Sequence, residues 1–226
     1  MENIILLGAG GHAHSVVDTI EQGCKYNIVG FLDTEEMQGK YYRDYPVLDT
    51  DEAIKRYYDE GIRNAFITIG FMGHGDTRNR LYNQLKNIGY TVPNIIDNTA
   101  VVSKNAVLGD GIFIGKNVII NANARIGSMC IINTGAVVEH DCVIGEFSHI
   151  AVGSVLCGGV SVGSRTLIGA NATVIQERTI GIGCIIGAGV TINRDVEAYK
   201  MINSNRMQNA GGGYNTTLTL FGKRAV

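Results

Sequence analysis

Residues 126–150 read IGSMCIINTGAVVEHDCVIGEFSHI, and an aliphatic residue recurs in this stretch at every sixth position. The spacing continues in both directions without an exception, and sixteen aliphatic residues open successive hexads: Val102, Leu108, Ile114, Ile120, Ile126, Ile132, Val138, Ile144, Ile150, Leu156, Val162, Ile168, Val174, Ile180, Ile186 and Ile192. A period of six differs from the roughly 3.6 of a helix and from strand alternation, and it is typical of a parallel β-helix. The pattern predicts triangular coils of about three hexads each, with the aliphatic openers stacked inside as ladders.

Small residues usually occupy the fourth position after each opener, where they share the predicted interior. Three of the five cysteines, Cys130, Cys142 and Cys184, fall on this position. The cysteines are odd in number and lack the paired spacing of a metal site, so we predict free core thiols of a cytoplasmic protein and no bound metal.

The composition of the chain argues against several function classes. A net charge of −2 gives no basic excess, so neither a nucleic-acid partner nor a polybasic membrane patch is expected. Residues 1–7 are too short an apolar run for a signal peptide, and no stretch approaches the roughly 18 apolar residues of a membrane span. Hydrophobic residues make up 45% of the chain, which suffices for real cores.

Upstream of the hexads, short apolar runs alternate with helical patterns, which predicts a small parallel α/β sheet. The predicted strands are 4–7, 28–33 and 64–70, and the predicted helices are 14–20, 51–58 and 77–88. Pro93 lies just before the first hexad and marks a natural seam between domains. We therefore expect an α/β domain over residues 1–94, a β-helix over residues 95–198 and a C-terminal tail over residues 199–226.

The turn after the first predicted strand reads Gly8-Ala9-Gly10-Gly11-His12-Ala13. Its glycine spacing is similar to the dinucleotide fingerprint, although Ala13 replaces the last glycine, and Asp33 stands at about the distance expected for a ribose-binding acid. Three interpretations stay open: a cofactor site, a tight turn without a ligand, and a cradle for the diphosphate of a nucleotide substrate. His12, at the helix start, would reach a phosphate or sugar group, or would be a solvated residue.

The hexads contain two histidines, His140 and His149. His140 is the candidate catalytic residue. It lies between Glu139 and Asp141 at the third hexad position, where the chain turns a corner, so it should point outward. An imidazole bonded through one nitrogen to a carboxylate has its other nitrogen free to take a proton. A surface histidine in a charged turn would give the same sequence.

Residues 132–150 resemble a group of bacterial sugar O- and N-acetyltransferases, which contains the sialic-acid O-acetyltransferases and the bacillosamine-type nucleotide-amino-sugar acetyltransferases. Three shorter motifs support the resemblance: Gly8 to His12, Phe31-Leu32-Asp33 and Ile67-Thr68-Ile69-Gly70. The resemblance runs from Ile4 to about Val196. It implies a small N-terminal parallel α/β (Rossmann-like) domain followed by a left-handed parallel β-helix of hexapeptide repeats. It also implies a homotrimer with acetyl-CoA, the cosubstrate, between neighbouring β-helices.

The same resemblance assigns roles to individual residues. It implies that His140 is the general base and that Asp141 is the carboxylate that orients it, with Glu139 as a substitute. The residues implied for the acetyl-CoA side are His149, Gly158, whose N–H would meet the thioester oxygen, and Ala170 and Ala188, which would border the pantetheine arm. The residues implied for the acceptor are Gly10, Gly11, His12, Asp33, Gly70 and Asn133.

Two departures from the family pattern stand out. Residues 201–207 replace the Gly-Xaa-Pro-Ala-Lys segment that commonly ends the β-helix, and Asp97-Asn98 replaces the His-Pro pair at its entry. The tail beyond, with glycines at 211–213 and the run 216–220, matches no segment of the family. We expect this tail either to be flexible or to form a strand against a neighbouring chain.

Direct acetyl transfer to a sugar is the function that these observations favour. The glycine turn favours the amine of a nucleotide-activated amino sugar, and the hydroxyl of a sialic-acid-like sugar is the alternative. Cys157 lacks an adjacent base for a covalent mechanism, and a zinc lyase of the γ-carbonic-anhydrase kind needs three histidine ligands where the β-helix offers two. A non-catalytic trimeric nucleotide-binding scaffold would have no reason to hold an outward Glu139-His140-Asp141.

Overall fold

The computed structural model describes residues 1–73 and 75–203. The tail segments predicted to be flexible or strand-forming, 211–213 and 216–220, lie outside the described residues. In the described part, no helix is long and apolar enough to cross a membrane.

An α/β unit forms the N-terminal part of the chain, as the alternating pattern predicted. Its strands are β1 (Glu2–Leu7), β2 (Tyr26–Asp33), β3 (Tyr41–Tyr42), β4 (Tyr45–Thr50) and β5 (Asn64–Ile67). Its helices are α1 (Gly11–Gly23), α2 (Ile54–Asp59) and α3 (Thr77–Ile88), with 3₁₀ turns at Glu35–Met37 and Asp51–Ala53. The sheet order is β3-β4-β2-β1-β5, and all pairs are parallel except β3 with β4.

The predicted elements differ from this structure in several places. The predicted helix 51–58 is divided into the 3₁₀ turn Asp51–Ala53 and the helix α2 (Ile54–Asp59). The α1 helix begins at Gly11 rather than at residue 14, because Gly10 already serves as its N-cap. The third predicted strand ends at Ile67, and the Thr68 hydroxyl instead bonds the Leu7 carbonyl at 2.8 Å. The hairpin of β3 and β4 was not predicted, because Pro46 interrupts an apolar run that would otherwise indicate a strand.

Both faces of the sheet are buried, as parallel sheets require. Ile4 and Leu6 of β1 pack into one core with α1, whereas Ile5 and Leu7 pack into another core with α3. The α1 core continues into the second half of the chain, where it includes outward residues of the β-helix such as Phe113. The α/β unit therefore rests directly on one side of the β-helix.

The β-helix consists of two-residue strands that pair in parallel with the strand 18 residues later, as in Ile119 with Val137. Its strands are β6 (Ile95–Ile96), β7 (Val101–Val102), β8 (Val107–Leu108), β9 (Phe113–Ile114), β10 (Ile119–Ile120), β11 (Arg125–Ile126), β12 (Ile131–Ile132), β13 (Val137–Val138), β14 (Val143–Ile144), β15 (His149–Ile150), β16 (Val155–Leu156), β17 (Ser161–Val162), β18 (Leu167–Ile168), β19 (Thr173–Val174), β20 (Thr179–Ile180), β21 (Ile185–Ile186), β22 (Thr191–Ile192) and β23 (Met201–Ile202). Every hexad opener from Ile114 to Ile192 is buried, which confirms the predicted left-handed parallel β-helix of hexapeptide repeats. The last strand, β23, lies past residue 198 and pairs with β21.

Three sheets form the sides of this prism. The first sheet runs β6-β9-β12-β15-β18-β21-β23, the second β7-β10-β13-β16-β19-β22 and the third β8-β11-β14-β17-β20. The first sheet is covered by the α/β unit. The other two expose apolar side chains to solvent, including Val101 (64%) and Val107 (52%). Exposed aliphatic rows of this kind typically mark surfaces of association.

The cysteines only partly follow the prediction of core thiols. All five are free, and Cys130, Cys142 and Cys184 are buried inside the coils. A core position is wrong for Cys24, which is exposed at the C-cap of α1, and Cys157 is only half-buried.

Candidate active site

His140 lies on the corner where the chain passes from the second sheet to the third, and it points outward, with 62% of its side chain exposed. Its Nδ1 lies 2.8 Å from Oδ2 of Asp141. Asp141 has a left-handed backbone, with φ of 60°. We call this edge of the prism the His140 corner.

The carboxylate fixes both the proton position and the pKa of the ring. Because a carboxylate only accepts hydrogen bonds, Nδ1 carries the proton and Nε2 of the neutral ring keeps a free lone pair. The bond to Asp141 raises the pKa of His140, while His140 and Asn123 lower the pKa of Asp141. The imidazole is therefore a stronger base than an isolated histidine, and its accepting nitrogen faces away from Asp141.

Glu139 and Asn123 also form hydrogen bonds to the His140–Asp141 pair. The Glu139 carboxylate accepts the backbone N–H of His140 at 3.3 Å, so the ring is oriented by Asp141 and not by Glu139. Asn123 donates to Oδ1 of Asp141 at 3.1 Å and holds that carboxylate from the coil below. Sequence reasoning missed Asn123, although the 18-residue step from Asp141, one coil, could have identified it.

Gly158 lies one coil above His140 on the same corner. A Cβ atom at this position would stand 2.6 Å from Nε2 of His140, so the ring lies directly over the glycine. The next residue, Gly159, donates its N–H to the His140 carbonyl at 2.9 Å. The Gly158 N–H itself has no hydrogen-bond partner among residues 1–73 and 75–203. A free proton acceptor and a free backbone donor therefore adjoin each other here.

Asn133 and His149 lie together at a different edge, where the first sheet meets the second. The Asn133 Nδ2 lies 3.3 Å from Nε2 of His149, and His149 Nδ1 lies 2.7 Å from the Phe71 carbonyl. Ala170 and Ala188 follow on this edge in later coils, after β18 and β21. We call it the Asn133 corner.

The glycine turn faces the carboxyl ends of β1 and β2. Gly10 caps α1 without any side-chain hydrogen bond, and the first turn of the helix contains no acidic residue. Its unpaired N–H groups and the helix dipole therefore favour an anion at this end. Asp33 accepts the N–H groups of Ala9 and Thr34, and it lines a cavity of about 650 Å³ together with Gly8.

His12 is not the solvated residue that one alternative expected. Its ring meets Phe113 edge-on at a centroid distance of 4.9 Å, and Gly70 lies against its Cβ. Its Nε2 is inaccessible to solvent and unpaired within the described part of the chain. Burial, followed by the charge of Arg78 and by His149, lowers the pKa of His12 to about 3, so the ring is neutral. The His12 ring lies next to the glycine turn, but because it is neutral it cannot offer a positive charge to a phosphate.

A single chain thus separates the candidate residues into two groups. His140, Asp141 and Gly158 share the His140 corner, whereas Asn133, His149 and the two alanines belong to the Asn133 corner and adjoin the α/β unit. The corners are one side of the triangular coil apart, about six residues of extended chain or roughly 20 Å. Within the described part of one chain, the two groups do not meet.

No group of three or more His, Cys, Asp or Glu side chains in the described ranges is arranged to hold a metal ion. The proton acceptor and the backbone donor at the His140 corner suit acyl transfer, in which a proton leaves the nucleophile and charge gathers on an oxygen.

Family models match two parts of the chain. Residues 3–85 match the PglD N-terminal domain, and residues 141–176 match the bacterial transferase hexapeptide (six repeats). The first match covers most of the α/β unit, and the second includes Asp141 and Gly158 of the His140 corner.

Solved structures match nearly the whole chain. A histidine mutant of GDP-perosamine N-acetyl transferase from Caulobacter crescentus, in complex with CoA and GDP-perosamine, is 34% identical, with 89% of this chain and 93% of that chain covered and a TM-score of 0.82. The acetyltransferase domain of PglB from Neisseria gonorrhoeae FA1090, in complex with acetyl coenzyme A, is 27% identical, with 88% and 95% covered and a TM-score of 0.82. WeeI from Acinetobacter baumannii AYE, at 22% identity, 91% and 98% coverage and a TM-score of 0.77, has the same fold.

Proposed function

The chain belongs to the bacillosamine-type sugar acetyltransferases with hexapeptide repeats, and we propose that it transfers an acetyl group from acetyl-CoA to the amine of a nucleotide-activated amino sugar. The observation that carries this proposal is the geometry of His140. Its Nδ1 is held by Asp141 at 2.8 Å, and its Nε2 stands over Gly158, whose N–H is unpaired among the described residues.

His140 acts as the general base in this mechanism. As the amine nitrogen attacks the thioester carbonyl carbon, Nε2 accepts the proton that the nitrogen loses. Asp141 stabilises the imidazolium that forms, because its carboxylate already bonds Nδ1. The carbon–sulfur bond then breaks, and His140 returns its proton to the departing coenzyme A thiolate. No acyl-enzyme is formed, and Cys157 has no step to perform.

Gly158 stabilises the oxygen that becomes negative during the attack. Its free N–H is a preorganised donor, and the absence of a side chain lets the thioester approach the backbone closely. Donors of this kind are typically worth about 10² to 10³ in rate. Ala170 and Ala188, on the Asn133 corner, border the pantetheine arm.

The acceptor is bound by the α/β unit. The diphosphate lies at the N-terminus of α1, against Gly10 and Gly11, where the helix offers unpaired N–H groups. The ribose lies beside Asp33 in the cavity of about 650 Å³. The GDP-perosamine bound to the Caulobacter relative supports an acceptor of this class.

A homotrimer completes the site. The His140 corner of one protomer faces the Asn133 corner and the α/β unit of the next, so that each site combines residues of two chains. The exposed valines of the two uncovered sheets supply the apolar surface for this association.

A direct assay tests this function. The purified protein is incubated with acetyl-CoA and a panel of GDP-, UDP- and dTDP-linked amino sugars, and release of the coenzyme A thiol is followed. We expect thiol release with at least one nucleotide-linked amino sugar and none with the corresponding 4-hydroxy sugars, which serve as matched controls. Thiol release only with a free sialic acid would contradict the amine acceptor.

A further inference from the structure

The carboxamide of Asn133 is held in one orientation by two partners. Its Oδ1 accepts the backbone N–H of Thr134 at 2.8 Å, and one hydrogen of its Nδ2 is directed to Nε2 of His149 at 3.3 Å. An amide nitrogen has two hydrogens, so the second one is left without a partner in the described part of the chain. Asn133 is thereby fixed as a hydrogen-bond donor at its corner.

His149 can hold Asn133 in this way only in one tautomer. Because the Phe71 carbonyl can only accept, Nδ1 of His149 carries the proton, and Nε2 is left with a lone pair that accepts from Asn133. The same arrangement prevents His149 from donating a hydrogen bond to a substrate. His149 belongs to β15, and its side chain is buried beneath the Phe71 carbonyl.

Among residues 1–73 and 75–203, two charged or titratable side chains pack near this ring, His12 from α1 and Arg78 from α3. Burial lowers the pKa of His149 and the Arg78 charge lowers it further, although the Phe71 carbonyl acts in the opposite direction. Arg78 is itself buried and donates to the Met129 carbonyl at 2.6 Å, while its Nε and Nη1 are unpaired among the described residues. Its pKa, lowered to about 10 by burial, leaves it charged near neutrality. A second positive charge on His149 is therefore disfavoured.

We propose that His149 is a positioning residue that acts through Asn133: held by the Phe71 carbonyl, it directs the Asn133 carboxamide so that its free N–H binds the acceptor sugar. This inference rests on the proposed function. It replaces the direct contact with acetyl-CoA that the family resemblance implied for His149.

The surroundings of Asn133 favour the acceptor over acetyl-CoA as its partner. The next residue, Thr134, lines a cavity of about 320 Å³ between α1 and the β-helix, together with Ser15, Lys116 and Phe113. This cavity adjoins the helix that begins at the glycine turn. If the diphosphate of the acceptor lies at the N-terminus of α1, its sugar can enter this cavity. The sugar hydroxyls would then face the free N–H of Asn133.

A double-mutant cycle tests the proposal. Asn133→Ala removes the donor, and His149→Phe keeps a ring of similar shape while removing the Nε2 acceptor. We expect each single variant to raise the acceptor KM about tenfold, the effect of one neutral hydrogen bond, with the acetyl-CoA KM unchanged. The double variant should match either single one, because His149 has no further effect once Asn133 is gone. A roughly hundredfold loss in the double variant would show independent roles and overturn the proposal.

Nitrogen-15 NMR of the imidazole rings provides a test on the wild-type protein that does not depend on any variant folding. We expect His149 to show a protonated Nδ1 and an unprotonated Nε2 at neutral pH, because Nδ1 donates to the Phe71 carbonyl. An Nε2–H tautomer or an imidazolium at that pH would overturn the proposal. Absence of thiol release by the wild type would instead count against the proposed function, so the two failures are distinguishable.

Discussion

His140→Ala is expected to lower kcat for acetyl transfer about 10²- to 10⁴-fold, the usual contribution of a positioned general base. The ring is outward, 62% exposed, and its Nδ1 bonds a neighbouring side chain rather than the core. Its removal should therefore leave the thermal unfolding temperature and the oligomeric state unchanged, and KM for both substrates nearly so. Steady-state kinetics by thiol release, with the unfolding temperature measured in parallel, checks both parts.

Lys104→Ala is the matched control for this variant. Lys104 is exposed and stands on the same corner two coils earlier, 36 residues before His140. This substitution removes an exposed side chain of the corner without touching the imidazole, so full activity is expected. If His140→Ala retained the wild-type kcat, His140 would have no part in the mechanism.

Gly158→Ala should lower kcat about 10²- to 10³-fold, because the added methyl group disturbs the base and the backbone donor together. Its Cβ would lie 2.6 Å from Nε2 of His140, closer than real Cβ contacts allow, so the ring must turn away. The backbone of Gly158 is not in the left-handed region, and alanine should be accepted without loss of fold. The measurement is kcat for thiol release at saturating concentrations of both substrates.

Two further variants serve as controls for the kcat of Gly158→Ala. Gly23→Ala, at the end of α1, adds the same methyl group where no atom lies within 4 Å, and it should leave kcat unchanged. In a His140→Ala background the methyl group at Gly158 no longer meets a ring, so its cost there should be smaller than in the wild type. Normal kcat in Gly158→Ala alone would show that the position of the His140 ring over Gly158 does not matter for catalysis.

The β-helix was predictable because the sequence pattern that specifies it is local and repeats every six residues. Each opener from Ile114 onward is buried, and one period of six determines both the strands and the 18-residue pairing between coils. The outward direction of His140 followed from the same frame. The pairing with Asp141 was equally accessible, because the two residues are adjacent in the chain.

Contacts between distant parts of the chain were not predictable in the same way. The burial of His12 against Phe113 depends on how the α/β unit rests on the first sheet, and no sequence period encodes that packing. The same holds for the bond between His149 and the Phe71 carbonyl, 78 residues apart. The separation of His140 from Asn133 was missed for a simpler reason: seven residues in sequence place them on different corners of the coil.

The shared site between protomers is tested most directly by complementation of two inactive chains. His140→Ala removes the base, and Gly11→Glu places a carboxylate where the acceptor diphosphate would bind. Gly11 is exposed with open space around its Cβ position, and an acid in the first turn of α1 suits the helix dipole, so this variant should fold.

Each homotrimer alone should be inactive, whereas trimers co-expressed from equal amounts of both chains should regain about a quarter of the wild-type activity, the fraction of interfaces that unite an intact His140 with an intact glycine turn. Mixed trimers without activity would contradict the account, because they would place the base and its acceptor within one chain.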